Sequence, residues 1–275
     1  MRLLHVSDPH VQLRDWRRRP WSALGPLRAL ATAELWKGRG RLFDGAEESL
    51  AAWARLAAGY DHCVLTGDLT QLGLREEFAL ARAALGPLAG DPARFTCLPG
   101  NHDRYPWDGR EQRFYEEAFP EHLASDLACG PVRVRLLGEV ALVIADSSLA
   151  VSWPLVTNGA IDATTLAGMK TALAAPEVRD RCALVLTHHA PLRASGRAKL
   201  LRPHLVGYRA FLRACVEGGA QAVLCGHVHE RYSVAAAAEH PLVICCGSST
   251  ELGARGGWEL EITDGQLRAP RSLKG

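Results

Sequence analysis

Residues 97–103 read Cys97-Leu98-Pro99-Gly100-Asn101-His102-Asp103. A short apolar run beginning at Arg94 and Phe95 stops at Pro99-Gly100, and an amide, an imidazole and a carboxylate follow at once. A turn has uses for Asn and Asp through their backbone hydrogen bonding, but none for the histidine between them. The stretch reads as a buried strand whose end carries chemistry, and the fold depends on what the other strands carry.

Four further strand-like runs end in the same manner. "RLLHVS" delivers Asp8 and His10, "HCVLTG" delivers Asp68, "CALVLT" delivers His188 and His189, and "AVLCG" delivers His227 and His229. Between them lie helical patterns from Asp44, with Leu50, Trp53, Ala54 and Ala57 on one face, over 75–85, with Phe78, Ala81 and Leu85 on its stripe, and over 110–119, 162–175 and 207–217. Asp44 with Glu47 forms an expected capping pair. "VRVRLLGEVALVIADSS" reads as two strands turning at Gly138-Glu139, and "PLVICCGSS" and "GWELEIT" read as the closing strands. Helices alternating with strands, with a hairpin in the middle, predict an α/β protein whose sheets are mixed, in one domain over residues 1–275. In open α/β sheets ligands bind beyond the carboxyl ends of the strands, so the five clusters can meet in one crevice.

Each cluster also has a plain reading. Asp8-x-His10 can cap or turn, Gly67-Asp68 can be a turn, and His188-His189 can be an ordinary buried pair. The five together at strand ends make the plain reading poor. Carboxylate, imidazole and an amide oxygen, without thiolate, describe a mixed N/O site that suits Mn, Fe, Zn or Co better than a structural zinc site does. Two Asp, four His and one Asn are too many donors for one tetrahedral ion and suit two ions sharing a carboxylate.

In order and spacing, Asp8-Pro9-His10, Gly67-Asp68, Gly100-Asn101-His102-Asp103, His188 and Gly226-His227-Val228-His229 resemble the motifs of the calcineurin-like metallophosphoesterases. The resemblance implies a four-layer αββα sandwich with two mixed β-sheets, and a dinuclear metal-dependent phosphoesterase. Asp8, His10 and His229 would hold one divalent ion, and Asn101, His188 and His227 the other, with Asp68 bridging. Manganese is the first expectation, with Fe, Zn, Co or Mg as alternatives. His102 would be the imidazole at the leaving group and Asp103 the carboxylate that orients it. Arg104 and Arg231, directly following two motifs, are candidate substrate contacts.

Composition bounds the rest. The chain has 275 residues, 48% of them hydrophobic, and a net charge of +2, which carries no clear nucleic-acid signature. Eight cysteines without a CxxC spacing, several inside apolar runs, read as free thiols of a reducing compartment. "MRLLHVSDPH" lacks the apolar region of a signal peptide, and no apolar run approaches the ~20 residues of a spanning helix. The expected location is cytoplasmic. Residues 12–43 stand apart as a basic, Trp-rich insertion after the first motif. Gln12 to Asp44 holds three tryptophans, seven arginines and a lysine against three acids. Leu24, Leu27, Ala31 and Leu35 can line one face of a helix interrupted at Pro26. The stretch reads as a cap, as an interfacial element giving peripheral contact with the inner membrane surface, or as a nucleic-acid contact.

The expected activity is hydrolysis of a phosphodiester, with the phosphate ester as partner. A phosphomonoesterase on the same core is one alternative. A second is a pyrophosphatase of the type that cleaves UDP-diacylglucosamine, a lipid-linked substrate, although that group's main branch carries Arg where this chain has His102. A non-catalytic scaffold of the same fold would be expected to lose ligands, and here every metal position is filled. Nothing in the sequence sets the oligomeric state.

Overall fold

The computed structural model describes residues 1–13, 32, 35, 37–104, 113–148, 158–198 and 204–275. Most of the 12–43 insertion, including Leu24, Leu27 and Ala31, lies outside the described residues, as do 110–112 of the expected 110–119 helix.

Among the described residues there are fourteen strands and six α-helices. The first sheet runs β13 (Gln266–Leu267), β12 (Gly256–Thr263), β1 (Arg2–Val6), β2 (His62–Leu65), β3 (Phe95–Cys97), with β14 (Arg271–Lys274) also paired to β12. The second runs β10 (Tyr232–Val234), β11 (Leu242–Cys245), β9 (Ala222–Gly226), β7 (Cys182–His189), β5 (Val140–Ile144), β4 (Arg133–Leu137). A two-stranded ribbon, β6 (Gly159–Ala160) with β8 (Leu205–Val206), stands apart. Both large sheets are mixed: β1, β2 and β3 are parallel while β12 opposes β1, and β5, β7, β9 and β11 are parallel while β4 and β10 oppose their neighbours.

Strand alternation explains why the sheets stack. Along β5, Val140, Leu142 and Ile144 point into a core that also contains Leu3, Val64, Leu98 and Leu260 of the first sheet's side. Ala141 and Val143 point the other way, to a core completed by Met169, Leu173 and Phe211. Those residues belong to α4 (Ala163–Ala174) and α6 (Tyr208–Glu217), with α5 (Pro176–Arg179) adding Val178. Leu4 and Val6 of β1 face a third core with Leu50 and Trp53 of α1 (Ala46–Leu56), Phe78 and Ala81 of α2 (Arg75–Leu85), and Tyr115 of α3 (Phe114–Ala118). Helices outside and two sheets inside give the expected four layers, and the central strands β2, β3, β5, β7 and β9 are buried along their whole length.

Two local expectations differ. The α1 N-cap is Gly45, left-handed at φ 78°, with no side-chain cap. Asp44 stands one residue too early to cap, while Glu47 and Glu48 remain in the first turn where negative charge suits the helix dipole. The expected hairpin forms as β4 and β5 around Gly138-Glu139. All eight cysteines are free and buried. Among the described residues no helix is long and apolar enough to cross a membrane.

Leu142 is fully buried between the sheets. Leu142→Ala is expected to cost about 2–5 kcal/mol of stability in urea unfolding. A cost below ~1 kcal/mol would contradict tight packing between the sheets.

Candidate metal centre

The parallel strands β1, β2 and β3 of one sheet and β7 and β9 of the other deliver their carboxyl ends to one place. The chain must turn sharply there for side chains at the strand ends to point inward. Asp8, His10, Asp68, His227 and His229 take φ values of 50°, 47°, 52°, 74° and 54°. That left-handed region is sparsely used by residues other than glycine, and it persists where surrounding structure over-determines it. Among the described residues only Asp264, in the turn between β12 and β13, shares it. Glycines supply the clearance. A Cβ on Gly100 would stand 2.1 Å from Asp68 Oδ1, and one on Gly226 would stand 2.2 Å from Asp8 Oδ2.

The donor atoms form two groups joined by Asp68. On one side, His229 Nε2 lies 2.9 Å from His10 Nε2 and 3.4 Å from Asp8 Oδ1. On the other, Asn101 Oδ1 lies 3.2 Å from His188 Nε2 and 2.9 Å from His227 Nδ1. Asp68 Oδ1 accepts the His102 backbone N–H at 2.8 Å. Its Oδ2 lies 3.6 Å from His10 Nε2 and 3.3 Å from His188 Nε2, buried and without a hydrogen-bond partner. His10, Asp8 and His188 are fully buried as well.

The atoms themselves fit divalent cations. His188 Nδ1 is 2.7 Å from the Thr66 carbonyl and His229 Nδ1 is 2.7 Å from Glu251 Oε2. Both acceptors lack protons, so each Nδ1 donates and each Nε2 points a lone pair into the site. Lone pairs on His188 Nε2, Asn101 Oδ1 and Asp68 Oδ2 then converge, which is unfavourable unless a cation or a proton lies among them. Groupings of Asp8, His10 and His229, and of Asp8, Asp68 and His188, bring one ligand atom from each residue to mutual separations within 4.8 Å.

Protons can stand in for a cation. Burial depresses both rings, but Asp68 lifts His188 to about 9, and Asp8 and Glu251 lift His229 to about 10. Burial, aided by neighbouring imidazoles, holds His10 and His227 well below the usual histidine range. Burial disfavours the ionised form of Asp68, yet His188 and His102 hold its pKa well below the ordinary carboxylate range.

His102 is in the site, its ring 4.7 Å from that of His10 in edge-on contact, but Asp103 does not orient it. The Asp103 carboxylate accepts the backbone N–H groups of Leu69, Thr70 and Gly100 and the Thr70 hydroxyl, at 2.8–3.0 Å. It ties the Asp68 loop to the Asn101 loop. The orienting group is the Gln71 carbonyl, 2.7 Å from His102 Nδ1. Four donors surround the Asp103 carboxylate, and the His102 Nδ1 proton is taken by Gln71 instead.

Arg104 is buried and holds Glu116 at 2.6 Å and Asp146 at 3.1 Å. Arg231 donates to Ser272 Oγ and to the Ala254 carbonyl. Both expected substrate contacts are therefore engaged by protein.

Glu251 and Phe43 were not singled out from sequence. Glu251 fixes His229, and it follows a sixth strand end: β11 runs into Gly247-Ser248-Ser249-Thr250-Glu251, where Ser248 Oγ and Thr250 Oγ1 donate to the carbonyls of Asp8 and Pro9. His189 turns inward beside His188. The β7–β9 register shifts between Leu186 and His189, and the His189 ring lies 4.5 Å from that of His227. Phe43, at the end of the insertion, packs 4.6 Å from the His10 ring.

The family model for calcineurin-like phosphoesterases matches residues 1–231. No curated protein matches by sequence. Among solved structures, a dimetal phosphatase from Danio rerio superposes with a TM-score of 0.66 at 11% identity, over 99% of this chain and 98% of that one. The purple acid phosphatase PPD1 from yellow lupin (Lupinus luteus) gives 0.62 at 12% identity, over 99% of this chain and 53% of its own. A Thermus thermophilus protein gives 0.54 at 13%, over 99% of both chains. At these identities the likeness is one of fold.

The raised pKa values set a pH dependence. A ring whose folded pKa stands above the ordinary 6.5 contributes stability in full below 6.5, and loses it as pH rises through about 9 for His188 and about 10 for His229. Chelator-treated protein is therefore expected to show a falling urea midpoint from about pH 6.5 upward. Glu251→Gln, which removes one carboxylate holding the His229 proton, should make the fall shallower. A midpoint flat over that window in both proteins would contradict protonation of these rings.

Proposed function

The chain belongs to the calcineurin-like phosphoesterase family, and from that membership we propose a hydrolase that cleaves phosphodiesters with a pair of divalent ions, manganese first among them. The observation that supports a pair is Asp68: one buried carboxylate oxygen, lacking a hydrogen-bond partner, faces imidazoles of both donor groups. Asp8, His10 and His229 would hold one ion, Asn101, His188 and His227 the other, and Asp68 both. When bound, such a pair supplies Lewis acidity toward phosphoryl oxygens and a water acidic enough to attack phosphorus near neutral pH. Oxygen donors mixed with imidazole and no thiolate suit manganese.

The chain's own residues do the rest. Glu251 and the Thr66 carbonyl fix the tautomers of His229 and His188 so that each presents Nε2. His102 holds its Nδ1 proton on the Gln71 carbonyl, so only Nε2 exchanges protons with the site. Burial holds the His102 pKa down. An anionic phosphoryl group opposes that effect, and Nε2 then carries a proton to the leaving oxygen. The diester preference rests on Gly100-Asn101-His102-Asp103, whose intact histidine resembles the motif of phosphodiesterases.

Manganese-loaded protein should hydrolyse a p-nitrophenyl diester faster than the matching monoester. His102→Ala should retain its metal, lose about 10²–10⁴-fold on an alkyl diester whose leaving group needs a proton, and lose far less on the p-nitrophenyl ester. Equal rates for His102→Ala and wild type on every ester would remove His102 from the role of acid, and monoester preference would overturn the diester assignment.

A further inference from the structure

The last turn of the insertion, Arg39–Phe43, is fastened to the rim of the metal centre from several sides. Gln12 Nε2 donates to the Gly40 carbonyl at 2.7 Å, and the Leu252 N–H donates to the Leu42 carbonyl at 2.7 Å. The buried Phe43 ring lies 4.6 Å from His10 and 5.6 Å from His229. Leu35, just upstream, packs with Leu13 on Leu72 and Leu74, next to the Gln71 carbonyl that holds His102. A turn held at so many points fixes where its first residue stands.

That residue is Arg39. Its side chain is exposed, and its charge bears on His10, His102 and Glu251 together. The turn that carries it stands against the first donor group, since Phe43 at the end of the same turn packs on His10 and His229. Among the described residues no carboxylate within ion-pair distance neutralises it. The contrast with Arg104 and Arg231 is direct, since both of those are tied to protein acceptors. A guanidinium left open over a phosphoryl-binding centre has one natural counterpart: its planar fork matches two oxygens of a phosphoryl group, with charge-assisted bonds stronger than neutral ones.

We propose that Arg39 is the phosphoryl-binding arginine of this site, contributed by the insertion and clasping from the solvent side the phosphate of the ester and of the product. The inference rests on the phosphoesterase reading and gives the insertion a role in substrate binding. Arg39 is a binding residue here. It moves no proton and makes no bond, so its loss should act on affinity ahead of turnover.

The test is calorimetric titration of inorganic phosphate into manganese-loaded protein, with KM and kcat for a phosphodiester measured alongside. Arg39→Ala should bind phosphate at least about tenfold more weakly and raise KM by a similar factor, with kcat changed less and manganese content unchanged. Arg39→Lys should recover part of the affinity, keeping the charge and losing the fork. Arg41→Ala, exposed on the same turn, should match wild type. Wild-type affinity in Arg39→Ala would overturn the inference alone, and so would loss of manganese from that variant, which would assign Arg39 to the metal centre. Wild-type protein that neither binds phosphate nor cleaves any ester would overturn the phosphoesterase reading, and this inference with it.

Discussion

Asp8 and Asp68 are carboxylates taken almost wholly out of water, at 0% and 1% exposure, at the ends of neighbouring parallel strands. Burying two acidic groups side by side is costly unless positive charge is brought to them. The second sheet brings it, in the form of imidazoles from β7 and β9 that reach across the seam between the sheets. The stacking of the two sheets is thus coupled to the chemistry of their edge. The apolar core between β5, β7 and β1, β2 sets the separation, and the polar seam at the strand ends uses it.

Geometry at that seam is maintained against local backbone preference. Five candidate ligands adopt positive φ, a conformation that costs of order 1–3 kcal/mol per residue for side chains other than glycine. Hydrogen bonds offset the cost. His227 N–H donates to both oxygens of Asp8, His102 N–H to Asp68, and Asp103 gathers three backbone N–H groups from two loops. Gly67, Gly100 and Gly226 leave space where a Cβ would collide with His188, Asp68 and Asp8. Hydrogen bonds and close-packed glycines thus hold the donor side chains in place, the arrangement that electrostatic preorganisation requires.

The sequence made the five strand ends legible because each joins a short apolar run to glycine and then to donor residues, a pattern that survives without knowledge of pairing. It did not make partnership legible. Asp103 follows His102 directly, yet adjacency along the chain says nothing of which backbone N–H groups will surround a carboxylate. Arg104 follows a motif and is nonetheless drawn to Glu116 and Asp146. Glu251 lies far from the motifs in sequence and reaches the site only through the chain that follows β11. His188 and His189 end the same strand, and the irregular β7–β9 pairing brings both to the site where strict alternation would turn one of them away. The Asp44 cap failed by a single residue, a matter of where Gly45 turns.

In the proposed centre Asp68 joins two donor groups and holds two ions. Metal content measured by plasma mass spectrometry after manganese loading and desalting tests it most directly, with Asp68→Asn beside wild type. Wild type should retain about two ions per chain and Asp68→Asn at most about one, with the fold intact by circular dichroism. A wild-type chain that holds one ion or none, or an Asp68→Asn chain that keeps two, would contradict it.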